Sequence, residues 1–464
     1  MVAELSDALV FFGATGDLAF KQIFPALQAL VRKGALTVPV IGVARSGSLD
    51  ELRARARASL EQHGGLDREA FDKLGSLMRF AKGDYADPAT FDGLRAALGA
   101  ARRPLHYLAI PPTAFPKVVS LLGKSGCAAN GRVAVEKPFG RDLASARALN
   151  DTLHQVFPET SIFRIDHFLG KESVLNLLYF RFSNRLLESV LNCDHVDNVQ
   201  ITMAESFGVK GRGAFYEETG AVRDVIQNHL LQLTAILAMD PPVGDDVEAV
   251  RDEKARVLKA MAPLDPTKIV RGQFRGYLDE KGVAADSKVE TFAALEVRIR
   301  NWRWAGVPFF IRAGKSMATD AVEVRVQFKL PPHDVYRERP PTPEYFRFRV
   351  GPGVSVLALG MHLKQPGEAM ADRAIELLAS EEPVHEVLPY ERLLGDAMRG
   401  DANLFAREDS VEAQWRIVEP ALTMADSPQL YEPGTWGPAD ADRLLIGCPG
   451  GWAKPVEPAR AGST

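Results

Sequence analysis

Residues 8–19 read ALVFFGATGDLA. The first five, Ala8–Phe12, are apolar without alternation, as in strands buried on both faces. Small residues follow in Gly13-Ala14-Thr15-Gly16, and Asp17 and Leu18 open a helical stretch that runs to Arg32. Strand, glycine turn and helix in that order make the first βα unit of a dinucleotide-binding sheet. Small side chains let backbone N–H groups approach a pyrophosphate, and the helix N-terminus adds partial positive charge. The pattern is GxxGxxA rather than the full GxGxxG, so a tight strand–helix turn without a ligand also satisfies it. Gly13, Ala14, Thr15, Gly16, Asp17 and Leu18 form the candidate cofactor loop. No Gly-Lys-Ser/Thr ending follows, which excludes a phosphate-loop nucleotidase.

Outward from this loop the alternation continues. Further apolar runs stand at Val38–Val43, Leu105–Ile110 and Val133–Val135, with helical stretches at Leu49–Gln62 and Ala114–Leu122. Strands alternating with helices imply a Rossmann-like, doubly wound parallel sheet with right-handed crossovers. The second run leads into Val43-Ala44-Arg45-Ser46. An NAD-selective site usually places an acid here for the ribose hydroxyls. A guanidinium suits a 2′-phosphate instead, so Arg45 points to NADP.

The pattern changes after residue 165. A helix-like stretch, Ala221–Met239, precedes period-two runs at Thr291–Ile299 (TFAALEVRI) and Val322–Leu330 (VEVRVQFKL). Neighbouring strands without intervening helices imply a mainly antiparallel sheet in a larger α+β domain. The expected division is therefore 1–165, a cofactor domain, and 166–464, a larger α+β domain. Proline-rich loops stand at Pro331-Pro332 and Pro340–Pro343, and the small, polar tail from Gly450 is expected to fray.

The chain has 464 residues, 46% of them hydrophobic and 25% charged, enough for more than one globular core. Its formal net charge of -4 argues against bulk attraction to nucleic acid or anionic lipid. No stretch approaches the roughly 20 apolar residues of a membrane span. Cys127, Cys193 and Cys448 fit neither metal spacing nor a disulfide framework, so no metal is expected and a reducing cytoplasm is.

Four segments carry candidate chemistry. Val133–Gly140 reads VAVEKPFG and places Lys137 at the carboxyl edge of the sheet, where such folds bind ligands. Arg164–Glu172 reads RIDHFLGKE and sets a carboxylate, an imidazole and an ammonium, Asp166, His167 and Lys171, within six residues. In Ala221–Met239, His229 falls on the apolar stripe of Val222, Val225, Leu233 and Ile236. It is either a satisfied core histidine or a base facing a cleft. Phe309–Met317 reads FFIRAGKSM and puts Lys315 in a glycine-flanked turn.

Taken together, these segments resemble the glucose-6-phosphate dehydrogenase family. The resemblance rests on GATGDLA (13–19), VARS (43–46), LAIPP (108–112), EKPFGRDL (136–143), RIDHFLGKE (164–172), QNHLLQL (227–233), RDEK (251–254), VPFFIRAGK (307–315) and YERLL (390–394). It implies oxidation of glucose 6-phosphate at C1 with NADP, the first step of the oxidative pentose phosphate pathway, by a cytoplasmic homodimer or dimer of dimers. It implies that His229 is the general base and Asp166 its carboxylate partner. His167 and Lys171 would bind phosphate. Lys137 would reach substrate and nicotinamide, and Glu205, Asp224 and Lys315 would contact substrate. Three residues depart from the family pattern: Phe168 replaces a tyrosine, Asp320 stands where a basic residue is usual, and Phe20 replaces a lysine after the loop. The first two leave open the same hydride chemistry on another sugar or sugar phosphate. A catalytically silent NADP-binding regulator is the remaining alternative.

Overall fold

The computed structural model describes residues 5–244, 246–333, 335, 342–351, 355–367, 370–381 and 387–455. The chain divides into two compact units. The first comprises Met1–Glu172, Pro242–Asp252 and Glu386–Glu412; the second comprises Ser173–Pro241, Glu253–His385 and Ala413–Thr464. This differs from a single boundary at residue 165. Residues 166–172 and two later segments belong with the first unit, because the helix Pro389–Arg399 lays Leu393, Leu394 and Ala397 into its core.

The first unit holds six parallel strands: β1 (Ala8–Phe12), β2 (Val40–Ala44), β3 (Met78–Lys82), β4 (Pro104–Leu108), β5 (Arg132–Glu136) and β6 (Ile162–Ile165). Their spatial order is β3-β2-β1-β4-β5-β6. Every pair is parallel. This is the doubly wound order of dinucleotide-binding sheets. β1, β2 and β4 are buried at every position, which is why their sequences are continuous apolar runs. β3 is the edge strand, where Arg79 and Lys82 are exposed, so its sequence lacks that signature. Helix starts carry local caps. Ser48 accepts from the Glu51 amide ahead of Leu49–Gln62, and Asp142 and Ser145 form a capping box ahead of Leu143–His154.

The second unit is built on nine strands: β7 (Val196–Ala204), β8 (Ile269–Phe274), β9 (Phe292–Arg298), β10 (Pro308–Gly314), β11 (Ala321–Phe328), β12 (Tyr345–Gly351), β13 (Ser355–Lys364), β14 (Asp372–Glu381) and β15 (Gln429–Tyr431). They run in the order β14-β13-β12-β11-β7-β10-β9-β8-β15. β7 with β10 and β8 with β15 are parallel pairs. The other neighbours are antiparallel. A core of Phe274, Phe292, Phe310 and Tyr431 is closed by Leu444, Leu445 and Trp452 from the chain's end.

Two expectations for this unit change. The stretch 221–239 is a π-helix, Val222–Leu230, followed by an α-helix, Leu231–Ala238. The α-helical part is buried on all sides, so it has no single apolar stripe. The tail is ordered through residue 455. Arg312 donates to the Ala453 carbonyl at 2.7 Å, and its guanidinium lies 4.7 Å from the rings of both Trp436 and Trp452. Residues 340–341 and 456–464 lie outside the described residues. Among the described residues no helix is long and apolar enough to cross a membrane.

Candidate functional site

The parallel strands of the first unit deliver their candidate residues to one edge of the sheet. Gly13–Gly16 follows β1, Arg45 follows β2, Lys137 follows β5 and Asp166 follows β6. Gly13 has φ +82°, and a Cβ there would stand 2.1 Å from the Ala109 carbonyl oxygen, so only glycine fits this turn. The Gly13 and Ala14 amides turn back on the Val43 carbonyl. Thr15, Gly16 and Asp17 remain exposed at the start of the first helix. That helix begins with a π-turn, Ala19–Ile23. The exposed turn, the helix start and the cation of Arg45 fit the phosphates of a dinucleotide. Phe20 carries the guanidinium of Arg55 at 4.9 Å from its ring, and that guanidinium donates to the Gly16 carbonyl at 3.1 Å.

Lys137 stands beside a carboxylate that single-sequence reading did not single out. Glu136 accepts the Tyr107 hydroxyl at 2.6 Å and the Tyr390 hydroxyl at 3.4 Å. Withdrawal from water pushes its carboxyl up to about 7, against the pull of both phenols and of Lys137. Tyr390 belongs to the returning segment, and its ring stacks on His167 at 6.4 Å between centroids and 10° between planes. The same segment holds the 166–172 loop, because Arg392 donates to the Gly170 carbonyl at 2.6 Å and pairs with Glu172. The YERLL stretch carries both residues; its role in this unit was not legible in its own residues.

Within that loop, Asp166 is 1% exposed and caps a 3-10 turn, His167–Gly170, by accepting the Phe168 amide at 3.1 Å. The ring of Phe168 is 1% exposed, and the Lys171 ammonium lies 4.9 Å from its centroid. The phenylalanine thus offers an aromatic face that orients the neighbouring cation.

The second unit gathers a polar cluster at the ends of β7 and β10. The two strands are parallel, so Glu205 and Lys315, each the next residue after its strand, emerge side by side. Their side chains pair at 2.5 Å. The Lys315 ammonium also lies 5.0 Å from the Phe207 ring and 5.6 Å from the Tyr216 ring. Burial first, then the carboxylates of Asp224 and Glu205, push the Tyr216 hydroxyl far above its ordinary range. Glu205, Asp224, Lys315 and Tyr216 therefore share one neighbourhood; Tyr216 had no sequence signal. Asp320 turns away from any anion role, because its two carboxylate oxygens accept the Ser206 amide and hydroxyl, each at 2.7 Å.

His229 and Asp224 lie on the π-helix. Its i→i+5 hydrogen bonding sets them one turn apart. His229 is 2% exposed. Just before the π-helix, Gly220, with φ 63° and ψ 177°, breaks the preceding helix. There the buried Glu290 carboxylate accepts the Val222 amide at 3.2 Å, and Arg271 stands 3.5 Å from it. Burial raises the Glu290 carboxyl above its ordinary range.

Comparison with known proteins covers both units. The family model described as the NAD binding domain of glucose-6-phosphate dehydrogenase matches residues 10–176, and that of its C-terminal domain matches residues 178–452. Glucose-6-phosphate 1-dehydrogenase 1 of Mycobacterium tuberculosis is 43% identical over 457 residues, covering 98% of this chain and 97% of the relative. The crystal structure of glucose-6-phosphate 1-dehydrogenase from Mycobacterium avium superimposes with a TM-score of 0.92 at 44% identity, covering 98% of this chain and 100% of that one. A glucose-6-phosphate dehydrogenase in complex with glucose-6-phosphate superimposes with a TM-score of 0.89 at 35% identity, covering 97% and 100%. A parallel sheet with a glycine turn and Arg45 at its carboxyl edge, a second sheet with Lys315 and Glu205 paired at its strand ends, and matches through both units converge: the chain belongs to the glucose-6-phosphate dehydrogenase family.

Proposed function

We propose that this protein oxidises glucose 6-phosphate at C1 to 6-phosphogluconolactone with NADP, the entry step of the oxidative pentose phosphate pathway. The observation that carries the reading is the match of both family domains to a chain that carries Asp166, Glu205, Asp224, His229, Lys137, Lys171 and Lys315 at the positions the resemblance singles out. NADP, when bound, supplies the acceptor for the hydride that leaves C1. Its pyrophosphate is held by Gly13–Leu18 and its 2′-phosphate by Arg45. His229 takes the proton of the C1 hydroxyl as the C1–H bond breaks, and Asp166 orients the imidazole and stabilises its charged form. His167 and Lys171 bind the substrate phosphate. Glu205 and Asp224 accept hydrogen bonds from sugar hydroxyls, Lys315 fixes Glu205 and donates to substrate, and Lys137 donates to both ligands. The relative from Solanum tuberosum is named as a cytoplasmic isoform, which supports a cytoplasmic location for this chain. A homodimer through the nine-stranded sheet is supported by apolar side chains left in water beside it: Tyr179, Leu186, Leu377 and Leu378 are 75%, 71%, 54% and 53% exposed. Light scattering on the purified protein checks the dimer.

The test of function is the appearance of reduced nicotinamide with glucose 6-phosphate, galactose 6-phosphate and free glucose. The highest kcat/KM belongs to glucose 6-phosphate. A preference for another sugar, which the missing hydroxyl at Phe168 would favour, replaces the substrate and keeps the chemistry. NADP binding without turnover on any sugar makes the protein a silent binder.

A further inference from the structure

The first unit carries an imidazole–carboxylate cluster that the hydride chemistry does not use. His154 ends the helix Leu143–His154, Glu159 opens the 3-10 turn Glu159–Ser161, and Glu408 opens the helix Glu408–Leu422. All three belong to the same unit. Nε2 of His154 stands 3.0 Å from Oε2 of Glu159 and 3.5 Å from Oε2 of Glu408. One donor atom from each of the three lies within 4.8 Å of the other two. Glu159 and Glu408 are 249 residues apart in the chain, so no local spacing announces the cluster.

The surroundings hold these groups in place. Oε1 of Glu159 accepts Nη1 of Arg164 at 2.7 Å and the Glu408 amide at 3.0 Å, and its Oε2 accepts Nη2 of Arg164 at 3.0 Å. Arg164 is fully buried on β6, and Nη2 also donates to the Asn150 side chain at 2.9 Å. Arg251 stands 3.7 Å from Glu159. The next acid along the helix, Glu412, is matched by Arg147 at 3.0 Å. Glu408 is not so matched: among the described residues its ion pair is with His154 alone. Burial raises its carboxyl above the ordinary range. Two carboxylates facing one imidazole are the donor set of a divalent transition ion. Ligands at about 2.0–2.2 Å from a tetrahedral ion stand about 3.4 Å from one another, and two of the three separations are near that value. We propose that His154, Glu159 and Glu408 bind a divalent metal ion of the zinc class, with water completing its coordination. Arg164 and Asn150 then orient Glu159 as outer partners of a ligating carboxylate do. The guanidinium beside Glu159 opposes the incoming cation, so the affinity is on the order of micromolar rather than nanomolar. The ion ties the helix end and the turn before β6 to the returning segment, whose Ala406 amide already donates to the Arg164 carbonyl at 3.3 Å. It thereby braces the strand that delivers Asp166.

His154→Ala and Glu408→Gln test this, since both side chains are partly exposed and their loss strands no buried charge. Glu159 is left intact, because removing it would leave the buried Arg164 unpaired. The full-length protein is stripped with chelator and titrated with zinc chloride, and with cobalt chloride as a visible reporter. Equilibrium dialysis counts the bound ions, the cobalt spectrum reports their geometry, and calorimetry follows the melting midpoint. Wild-type protein binds one ion that each variant loses or holds at least about tenfold more weakly. Its cobalt form shows the strong visible bands of a four- or five-coordinate ion, and each variant loses them. Zinc at a hundredfold excess over Kd raises the wild-type midpoint by about 5–10 °C and leaves that of either variant nearly unmoved. No ion bound by wild-type protein, or the same ion count and affinity in wild type and both variants, overturns the site. Either result leaves the oxidation of glucose 6-phosphate standing, because His154 and Glu408 lie outside the residues proposed to perform it.

Discussion

Gly220→Ala should damage the second unit in a way that another left-handed glycine does not. The residue's φ 63° and ψ 177° lie in a region open essentially to glycine, so any side chain costs about 1–3 kcal/mol in backbone strain alone. A Cβ there would also stand 2.5 Å from Oε1 of Glu290, the atom that receives the Val222 amide. Moving that carboxylate forfeits a charged hydrogen bond worth about 1.5–3 kcal/mol. The two costs together come to about 2.5–6 kcal/mol. In a unit of this size each kcal/mol lowers the melting midpoint by about 2–4 °C, so the calorimetric transition should fall by roughly 5–24 °C. The displaced carboxylate caps the helix that carries Asp224 and His229, and a misplacement of even about 1 Å costs on the order of 100-fold in kcat/KM. Gly211→Ala is the control. Gly211 has φ +77°, and a Cβ there would meet nothing within 4 Å, so this variant should lose only about 1 kcal/mol. Equal midpoints for the two variants would refute the assignment of Glu290 as the cap.

Three further outcomes follow from the same geometry. His229→Asn should fold and bind cofactor while losing about 10²–10⁴-fold in kcat; near-normal turnover removes it as the base. Lys315→Met leaves the Glu205 carboxylate without the cation now 2.5 Å away, and KM for the sugar phosphate should rise by about tenfold or more, read from initial rates. Glu136 has a folded pKa raised to about 7 from 4.5, so its contribution to stability is greatest below pH 4.5 and is lost as pH rises toward 7. Urea unfolding of wild type and Glu136→Gln should therefore diverge by about 2–3 kcal/mol between pH 4.5 and 8, the variant having the flatter profile; parallel profiles would place Glu136 in water.

Most of the first sheet was legible because burial on both faces forces an unbroken apolar run, and β1, β2, β4 and β5 each left one. β3 was not, because an edge strand tolerates Arg79 and Lys82 on its open positions. The returning helix Pro389–Arg399 was not legible either. Its apolar stripe reports that it packs, but not on which unit, and only tertiary structure assigns Leu393 and Leu394 to the first core. The described part of the tail, residues 450–455, misled for a related reason. Its small and polar residues read as fraying, yet Trp452 anchors it, with its indole donating to the Ala441 carbonyl at 3.0 Å.

The candidate site divides along the same line. Residues adjoining a strand end, Gly13, Arg45, Lys137, Asp166, Glu205 and Lys315, stand where parallel pairing brings their neighbours too, so a strand pattern and a resemblance suffice to nominate them. Residues that act by burial leave no such trace. Glu136 becomes a perturbed acid only because Tyr107 and Tyr390 arrive from β4 and from a segment more than two hundred residues later. Glu290 becomes a helix cap only because the chain breaks at Gly220. Phe168 and Asp320 show the converse. By composition each subtracts from a phosphate site, yet one is spent orienting Lys171 and the other on Ser206. Neither substitution therefore argues against a sugar phosphate with the force that its chemistry alone suggests, and the case for one rests on the side chains proposed to bind it, His167 and Lys171.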